Sequence, residues 1–82
     1  MRKYAALQTH LIRRNGRAEM LTFEEIEDII GKQLPQSAIK HRSFWANDNE
    51  GHHSHARSWM KAGYRVAYVD RDEKVVRFER TR

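Results

Sequence analysis

Apolar residues recur at helical spacing at the start of the chain. Residues 3 to 14 therefore predict an amphipathic first helix with polar side chains on the opposite face. The apolar face of this helix holds Tyr4, Leu7, Leu11 and Ile12. Asn15-Gly16 ends the helix, because both residue types adopt the left-handed backbone conformation that closes a helix.

The strongest local signal is the start of a second helix at Phe23. Thr22 and Glu25 have the spacing of a capping box, in which each residue's side chain accepts a hydrogen bond from the other's backbone N–H. Met20-Leu21, just before it, predicts a short strand or turn. Gly31 ends the helix, since glycine closes helices without a steric penalty.

Two further helices are predicted in the middle of the chain. A short one starts at Pro35 or Ser37 and runs toward Phe44-Trp45. The polar stretch from Ala46 to Gly51 then predicts a mobile loop, because its residues favour turns over helices and strands. A further helix follows from His53 to Ala62, where apolar residues again recur at helical spacing.

The hydrophobic pattern changes to a period of two from Tyr64 onward, which predicts strands. One run extends to Val69 and a second covers residues 75 to 78, with a polar turn from Asp70 to Lys74 between them. We expect a connecting loop of about three to five residues. The two runs together predict a C-terminal β-hairpin.

These elements predict an α+β fold that resembles a winged helix-turn-helix, with three to four short helices followed by a C-terminal β-hairpin. At 82 residues the chain has room for one hydrophobic core, so residues 1–82 are expected to form a single domain. One departure from the winged layout is visible. The sequence predicts two helices, 37 to 44 and 53 to 62, where a standard winged helix has one.

The segment from Leu34 to Val66 resembles a family of small, largely uncharacterised bacterial and phage proteins. The resemblance rests on four runs: Leu34-Pro35-Gln36-Ser37-Ala38, His41-Arg42-Ser43-Phe44-Trp45-Ala46-Asn47-Asp48, His55-Ala56-Arg57-Ser58-Trp59 and Ala62-Gly63-Tyr64-Arg65-Val66. It extends upstream to Lys3-Tyr4 and to the Leu21-Thr22-Phe23 helix start. Phe44 and Tyr64 depart from the tryptophans of that pattern. The resemblance implies a polar, aromatic-lined site without implying a known activity.

The charge of the chain indicates what kind of partner it binds. The chain holds 16 Lys and Arg against 11 Asp and Glu, a net charge of +5, and its pI is about 10.0. Residues 19 to 31 carry five acids and no base, so the rest of the chain carries +10. A basic body of this kind favours a polyanion, with DNA favoured over RNA. A solvated charged surface is the simpler alternative.

Composition also sets the expected compartment. The chain has no cysteine, which excludes disulfides and thiolate zinc sites. No signal peptide or membrane span is visible in its sequence, so we expect a cytoplasmic protein, associated with the nucleoid if it binds DNA, with no membrane partner and no cofactor. The oligomeric state is left open.

The predicted nucleic-acid contacts combine cations, an aromatic plane and a base-pairing amide. Arginine and lysine bind phosphates, a tryptophan stacks on bases, and an asparagine pairs with a base edge. His55, at the start of a helix, could face a phosphate together with Arg57. The predicted contact residues are Lys40, His41, Arg42, Trp45, Asn47, His55, Arg57, Lys61, Arg71 and Lys74.

Several of these residues have structural alternatives. Trp59 is predicted to lie in the core, and Trp45 could lie either in the core or on the surface. Ser37 and His41 have the i, i+4 spacing of a nucleophile and its base, but Ser37 serves equally well as a helix cap. We therefore predict no catalytic residues and no enzymatic activity.

Two rival functions follow from other features. The acidic helix could mimic DNA charge, which would make the protein a phage or bacterial inhibitor or adaptor that binds another protein, of the anti-defence type. The histidines could bind a metal in a nuclease: His41, His52, His53 and His55. A solvated, loop-borne histidine cluster is the preferred interpretation, since no His-x-x-x-His pair lies on a predicted helix, and we predict no metal site.

Overall fold

The computed structural model describes residues 3–47 and 54–81. This part of the chain is a small α+β fold with four α-helices, one 3-10 helix and a three-stranded antiparallel sheet. The elements in chain order are α1 (Ala5–Arg13), β1 (Glu19–Thr22), α2 (Phe23–Ile30), α3 (Ser37–Lys40), the 3-10 helix Arg42–Trp45, α4 (Ser54–Lys61), β2 (Tyr64–Asp70) and β3 (Val75–Arg80).

The sheet has the order β1-β3-β2, so the last strand lies in its centre. Val76 pairs with Leu21 of β1 on one side and with Val69 of β2 on the other. The last two strands therefore do not stand apart as the predicted hairpin, because β1 extends the pair into a sheet. Their register shifts between Val66 and Tyr68, and the connection between them is the turn 71–74.

The predicted ends of α2 are confirmed. The Glu25 N–H donates to Thr22 Oγ1 at 3.0 Å, and the Thr22 N–H donates to Glu25 Oε1 at 2.8 Å, which completes the capping box. Gly31 closes the helix with a φ of 74°, a left-handed conformation that suits glycine. The capping groups at both ends of this helix therefore come from residues nearby in sequence.

The helix predicted from Ser37 toward Trp45 is interrupted. His41 has extended backbone angles, φ −125° and ψ 116°, and it separates α3 from the 3-10 helix. Ser37 is the first helical residue and not the cap, since Gln36 occupies the cap position. The break at His41 turns the chain so that Trp45 packs under α3. The polar stretch after Trp45 lies largely outside the described residues.

The core is rich in aromatic side chains, which bury a large area each. Trp45 lies between Phe23 and Trp59, with ring centroids 5.1 and 5.9 Å away, and Trp59 also contacts Phe78. Trp59 is 1% exposed, which confirms its predicted place in the core. No helix within the described ranges is both long enough and apolar enough to cross a membrane.

Ile12 does not belong to the buried face of α1, contrary to the prediction. It is 54% exposed, whereas Tyr4, Leu7 and Leu11 are buried. Each helical residue advances about 100° around the axis, so the position after Leu11 falls outside the narrow face that this helix buries.

Candidate functional site

Arg71 connects two segments that are far apart in sequence, the turn 71–74 and the end of α3. Its Nη1 atom donates to the carbonyl oxygens of Ile39 and Lys40, at 3.2 and 3.0 Å. These carbonyls lie at the C-terminal end of α3, where a guanidinium is favourable because backbone acceptors lack helical partners there. The turn 71–74 is thereby held against the end of α3.

This contact creates a surface that we call the basic edge: Lys40, His41, Arg42 and Arg71. Lys40, His41 and Arg42 are consecutive and exposed. Within residues 3–47 and 54–81, the ion pairs involve other cations (His10, Arg14, Arg65 and Arg77). The cations of the basic edge are therefore not neutralised by any described carboxylate within ion-pair distance. The turn 71–74 is itself neutral, since Asp72 and Glu73 balance Arg71 and Lys74.

The remaining predicted cations lie elsewhere. Arg57 and Lys61 are exposed on α4 with i, i+4 spacing, which places them on one helical face. Lys74 ends the turn 71–74 with a φ of 58°, and its carbonyl oxygen accepts from the Phe23 N–H at 2.8 Å. Lys74 therefore lies beside the start of the acidic helix α2.

Trp45 cannot stack on a base, which corrects the prediction of a contact at this position. It is 3% exposed, and its indole N–H donates to the Ala38 carbonyl at 2.8 Å. Both faces of its ring are covered by the aromatic side chains described above. Trp45 is a core residue.

Asn47 is also occupied within the fold, which corrects its predicted role in pairing with a base. Its Oδ1 accepts from the Val66 N–H at 2.8 Å and from the Trp59 indole N–H at 2.9 Å. Its Nδ2 donates to the Val66 carbonyl at 3.0 Å. The amide thus pairs with both backbone groups of one residue of β2, as a neighbouring strand would, and it anchors α4 to the sheet through Trp59.

His55 does not face solvent at the start of α4, which corrects the prediction of a phosphate contact there. It is 8% exposed, and its ring lies parallel to Phe44 with centroids 3.8 Å apart. Its Nε2 lies 2.6 Å from the Phe44 carbonyl oxygen, so this nitrogen acts as a donor. His52 and His53 lie outside the described residues, and the described ones contain no group of acids and histidines suited to a metal.

A cavity of about 410 Å³ opens beside the basic edge, and we call it the aromatic cavity. Its lining residues are Tyr4, Pro35, Ser37, His41, Ser43, Phe44 and His55. Burial raises the pKa of the Tyr4 phenol, which stays protonated at neutral pH. His41 belongs both to this cavity and to the basic edge. Ser37 and His41, considered above as a nucleophile and base, lie in the same lining.

The basic edge, the aromatic cavity and Arg71 define a contact region that sequence spacing did not identify as a unit. Arg71 and Lys40 are distant in sequence, and Tyr4, Pro35 and Ser43 carry no local signal of a site. The predicted contacts Lys40, His41 and Arg42 and the resemblance to a family with an aromatic-lined site pointed to this part of the chain, but not to the cavity.

The molecule is thus a small basic α+β domain with one cationic edge and an adjoining aromatic cavity. The chain belongs to a family described as a domain of unknown function (DUF7662), whose model matches residues 4–81. This agrees with the resemblance to an uncharacterised family. Comparison with curated proteins and with solved structures finds no match.

Proposed function

We propose that this protein binds nucleic acid, DNA in preference to RNA, through phosphates at the basic edge, and that it is not an enzyme. The observation that carries the proposal is the contact of Arg71 with the end of α3. This contact gathers Lys40, Arg42 and Arg71 on one surface without a described carboxylate partner. Phosphates bind such a surface because its lysine and arginine side chains release the counterions that are condensed on the nucleic acid.

The order of the elements supports a winged-helix interpretation of the fold. A helix and a strand precede the central helices, and α4 leads through Gly63 directly into β2 and β3. In that interpretation α4 occupies the place of the recognition helix, and the turn 71–74 is the tip of the wing. The extra elements between α2 and α4 carry most of the basic edge.

The surface of α4 favours contacts to the phosphate backbone over sequence reading. His55, Ala56, Ser58 and Trp59 are buried, which leaves Arg57 and Lys61 as the exposed cations of this short helix. A recognition helix that reads bases needs three to four side chains able to reach base edges. Phosphate contacts carry no sequence information, so we expect binding with weak sequence preference.

The structure gives less support to a protein-binding inhibitor that mimics DNA. Three of the five acids in residues 19–31 serve the fold: Glu19 pairs with His10 and Arg14, Glu25 completes the capping box, and Glu27 accepts from the Leu34 N–H. Glu24 and Asp28 remain exposed on α2. Two carboxylates are a small fraction of the charge that a DNA mimic presents.

A salt series with matched variants tests the proposal. We expect the logarithm of the affinity for duplex DNA to fall linearly with the logarithm of salt concentration. Lys40→Ala and Arg42→Ala should each reduce the steepness of that slope by about one. Arg17→Ala is the control, because Arg17 is exposed and its carbonyl accepts from the Tyr64 hydroxyl, at the opposite end of the sheet from the turn 71–74.

Two results would contradict the proposal. One is no DNA binding at low salt, and the other is an equal change of slope in the Arg17→Ala control. Neutralising the exposed acids with Glu24→Gln and Asp28→Asn distinguishes a DNA binder from an inhibitor that mimics DNA. A DNA binder should bind equally well or better after this change, whereas a DNA mimic should lose its protein partner. The proposed setting for DNA binding is the cytoplasm, in association with the nucleoid.

A further inference from the structure

Ring side chains form most of the walls of the aromatic cavity. Phe44 and His55 form a parallel stack whose rings are inclined by 7°, and Tyr4 meets His55 edge-on with centroids 5.7 Å apart. These three residues are each less than a tenth exposed, so the core holds the walls in place. Pro35 adds a rigid ring to the lining. A planar ligand fits walls of this kind better than a branched or flexible one.

The polar groups of the cavity suit a ligand edge that both donates and accepts hydrogen bonds. Ser37 and Ser43 contribute hydroxyls and His41 an imidazole, and each can donate or accept. Among the residues that the structure describes, none in the lining has a carboxylate, an ammonium or a guanidinium group. A mostly apolar cavity of about 410 Å³ with a few convergent polar groups is typical of sites for small heterocyclic ligands.

The position of the cavity indicates where such a ligand comes from. His41 lies in the lining and also on the basic edge, and Arg42 separates it from Ser43. Lys3 lies at the Tyr4 side, with its Nζ 5.5 Å from the centroid of that ring. Cations that adjoin lining residues, together with an aromatic lining, match the two parts of a nucleotide, its phosphate and its base.

We propose that the aromatic cavity receives one unstacked nucleobase of the nucleic acid whose phosphates the basic edge binds. This inference rests on the proposed function and names its preferred substrate, a single strand or a locally opened duplex. A base within a duplex is stacked and paired, so it must leave the helix before it can enter a cavity. We therefore expect single strands to bind more tightly than duplexes of equal length.

The decisive experiment compares strands that have and lack bases. The full chain is titrated with a single-stranded oligonucleotide of about ten nucleotides, within the usual site sizes for such proteins, and with the same oligonucleotide made abasic throughout. Fluorescence anisotropy reports both affinities. We expect the complete strand to bind at least about fivefold more tightly, because contacts between a base and aromatic groups have this magnitude or more.

A variant that fills the cavity without removing a cation tests its location. Ser43 is exposed at the lining, so Ser43→Phe should occupy the cavity with little effect on the core. We expect this variant to bind complete and abasic strands equally, at the abasic affinity of the wild type. Ser43→Ala is the matched control and should keep the preference for the complete strand. Circular dichroism and thermal unfolding check that both variants fold.

A second measurement does not depend on any variant. Backbone amide signals of the wild-type chain are followed by NMR while a nucleoside monophosphate and then the complete strand are added. We expect the strand to shift the signals of Ser37, His41 and Phe44 more than those of residues at the far end of the sheet. Unchanged signals at these three residues would overturn the inference.

The outcomes separate the inference from the proposed function. Equal affinity for complete and abasic strands, with both lowered by Lys40→Ala, overturns the cavity inference and leaves the basic edge in place. No binding of either single strand overturns the cavity inference, and no binding of duplex DNA as well overturns both. Binding of the nucleoside monophosphate in the cavity without a preference for the complete strand assigns the cavity to a free nucleotide and also overturns the inference.

Discussion

The stretch around α3 and the 3-10 helix has two sides of opposite character. On its inner side, Trp45 and Asn47 contribute polar groups that are all bonded to nearby backbone or side-chain atoms. On its outer side, the side chains of Lys40 and Arg42 extend from the same short segment, and no described ion pair includes them. One segment therefore serves both as scaffold and as a cationic surface.

The difference shows how residues that suit base recognition can be used by the fold. An indole N–H or an amide that is buried must find a partner, since an unpaired polar group costs about 1 to 3 kcal/mol. Trp45 meets this requirement in the core, and the Asn47 amide forms part-buried hydrogen bonds although the residue itself is exposed. A lysine or arginine at the surface keeps its charge hydrated at little cost, so it remains available for a phosphate.

The largest expected effect concerns Trp45. We expect Trp45→Ala to lower the free energy of unfolding by about 3 to 5 kcal/mol, because it removes a large buried side chain from between two aromatic rings. Urea denaturation followed by circular dichroism measures this loss. Trp45→Phe keeps a ring in place and should lose considerably less. A Trp45→Ala protein that is as stable as the wild type but unable to bind nucleic acid would show that Trp45 is a contact residue and not part of the scaffold.

Asn47 should give the next largest effect. We expect Asn47→Ala to lower the free energy of unfolding by about 2 kcal/mol, because Val66 and Trp59 both lose a hydrogen-bond partner. For a domain of this size, that corresponds to a fall in Tm of roughly 10 °C. Gln33→Ala is the control, since it removes an exposed amide. Equal stability of the two variants would show that Asn47 is not an anchor.

Local sequence predicts the features that depend on neighbouring residues. The capping box of Thr22 and Glu25 and the closing glycine at position 31 involve only residues that are near one another in sequence. They form without a tertiary contact, so they can be predicted from the sequence. The same holds for the left-handed Asn15 and Gly16 that follow α1. For that reason the element order could be predicted with boundaries that differ by only a few residues from those observed.

Features that depend on distant residues could not be predicted in this way. The placement of Arg71 against α3 involves carbonyls and a guanidinium 31 to 32 positions apart. The break at His41 accompanies the packing of Trp45 under α3. Asn47 meets Val66 across 19 positions. The spacing of polar residues along a chain does not show whether a distant partner exists. The predicted site therefore mixed scaffold residues with surface cations.

Arg71 should give a smaller effect on stability than the buried residues. We expect Arg71→Gln to change the free energy of unfolding by at most about 1 kcal/mol, because its two hydrogen bonds to α3 lie at the surface. The same change should weaken DNA binding and reduce the steepness of the salt slope by about one. Arg17→Gln, at the opposite end of the sheet, is the control for charge. A larger loss of stability than in Asn47→Ala would assign Arg71 to the scaffold.

The smallest expected effect depends on pH and concerns Glu79 of β3. Hydrogen bonding from Arg77 Nε, 2.7 Å away, together with the charges of Arg77 and Arg65, lowers the pKa of Glu79. A carboxylate with a lowered folded-state pKa stabilises the fold above its unfolded-state pKa, near 4, and this contribution is lost as pH falls through the folded-state value. Glu79→Gln should therefore cost a little stability at neutral pH and progressively less below about pH 4.

The pH dependence of the Glu79→Gln effect also provides a reference for Asn47, on the inner side of the stretch around α3 and the 3-10 helix. The hydrogen bonds of Asn47 join neutral groups, so the stability lost in Asn47→Ala should not change between pH 6 and pH 3, in contrast to that of Glu79→Gln. Chemical denaturation at several pH values measures both differences against the wild type. If the cost of Asn47→Ala also vanished in acid, its hydrogen bonds would depend on an ionised neighbour, and the inner side would not be the neutral scaffold described here.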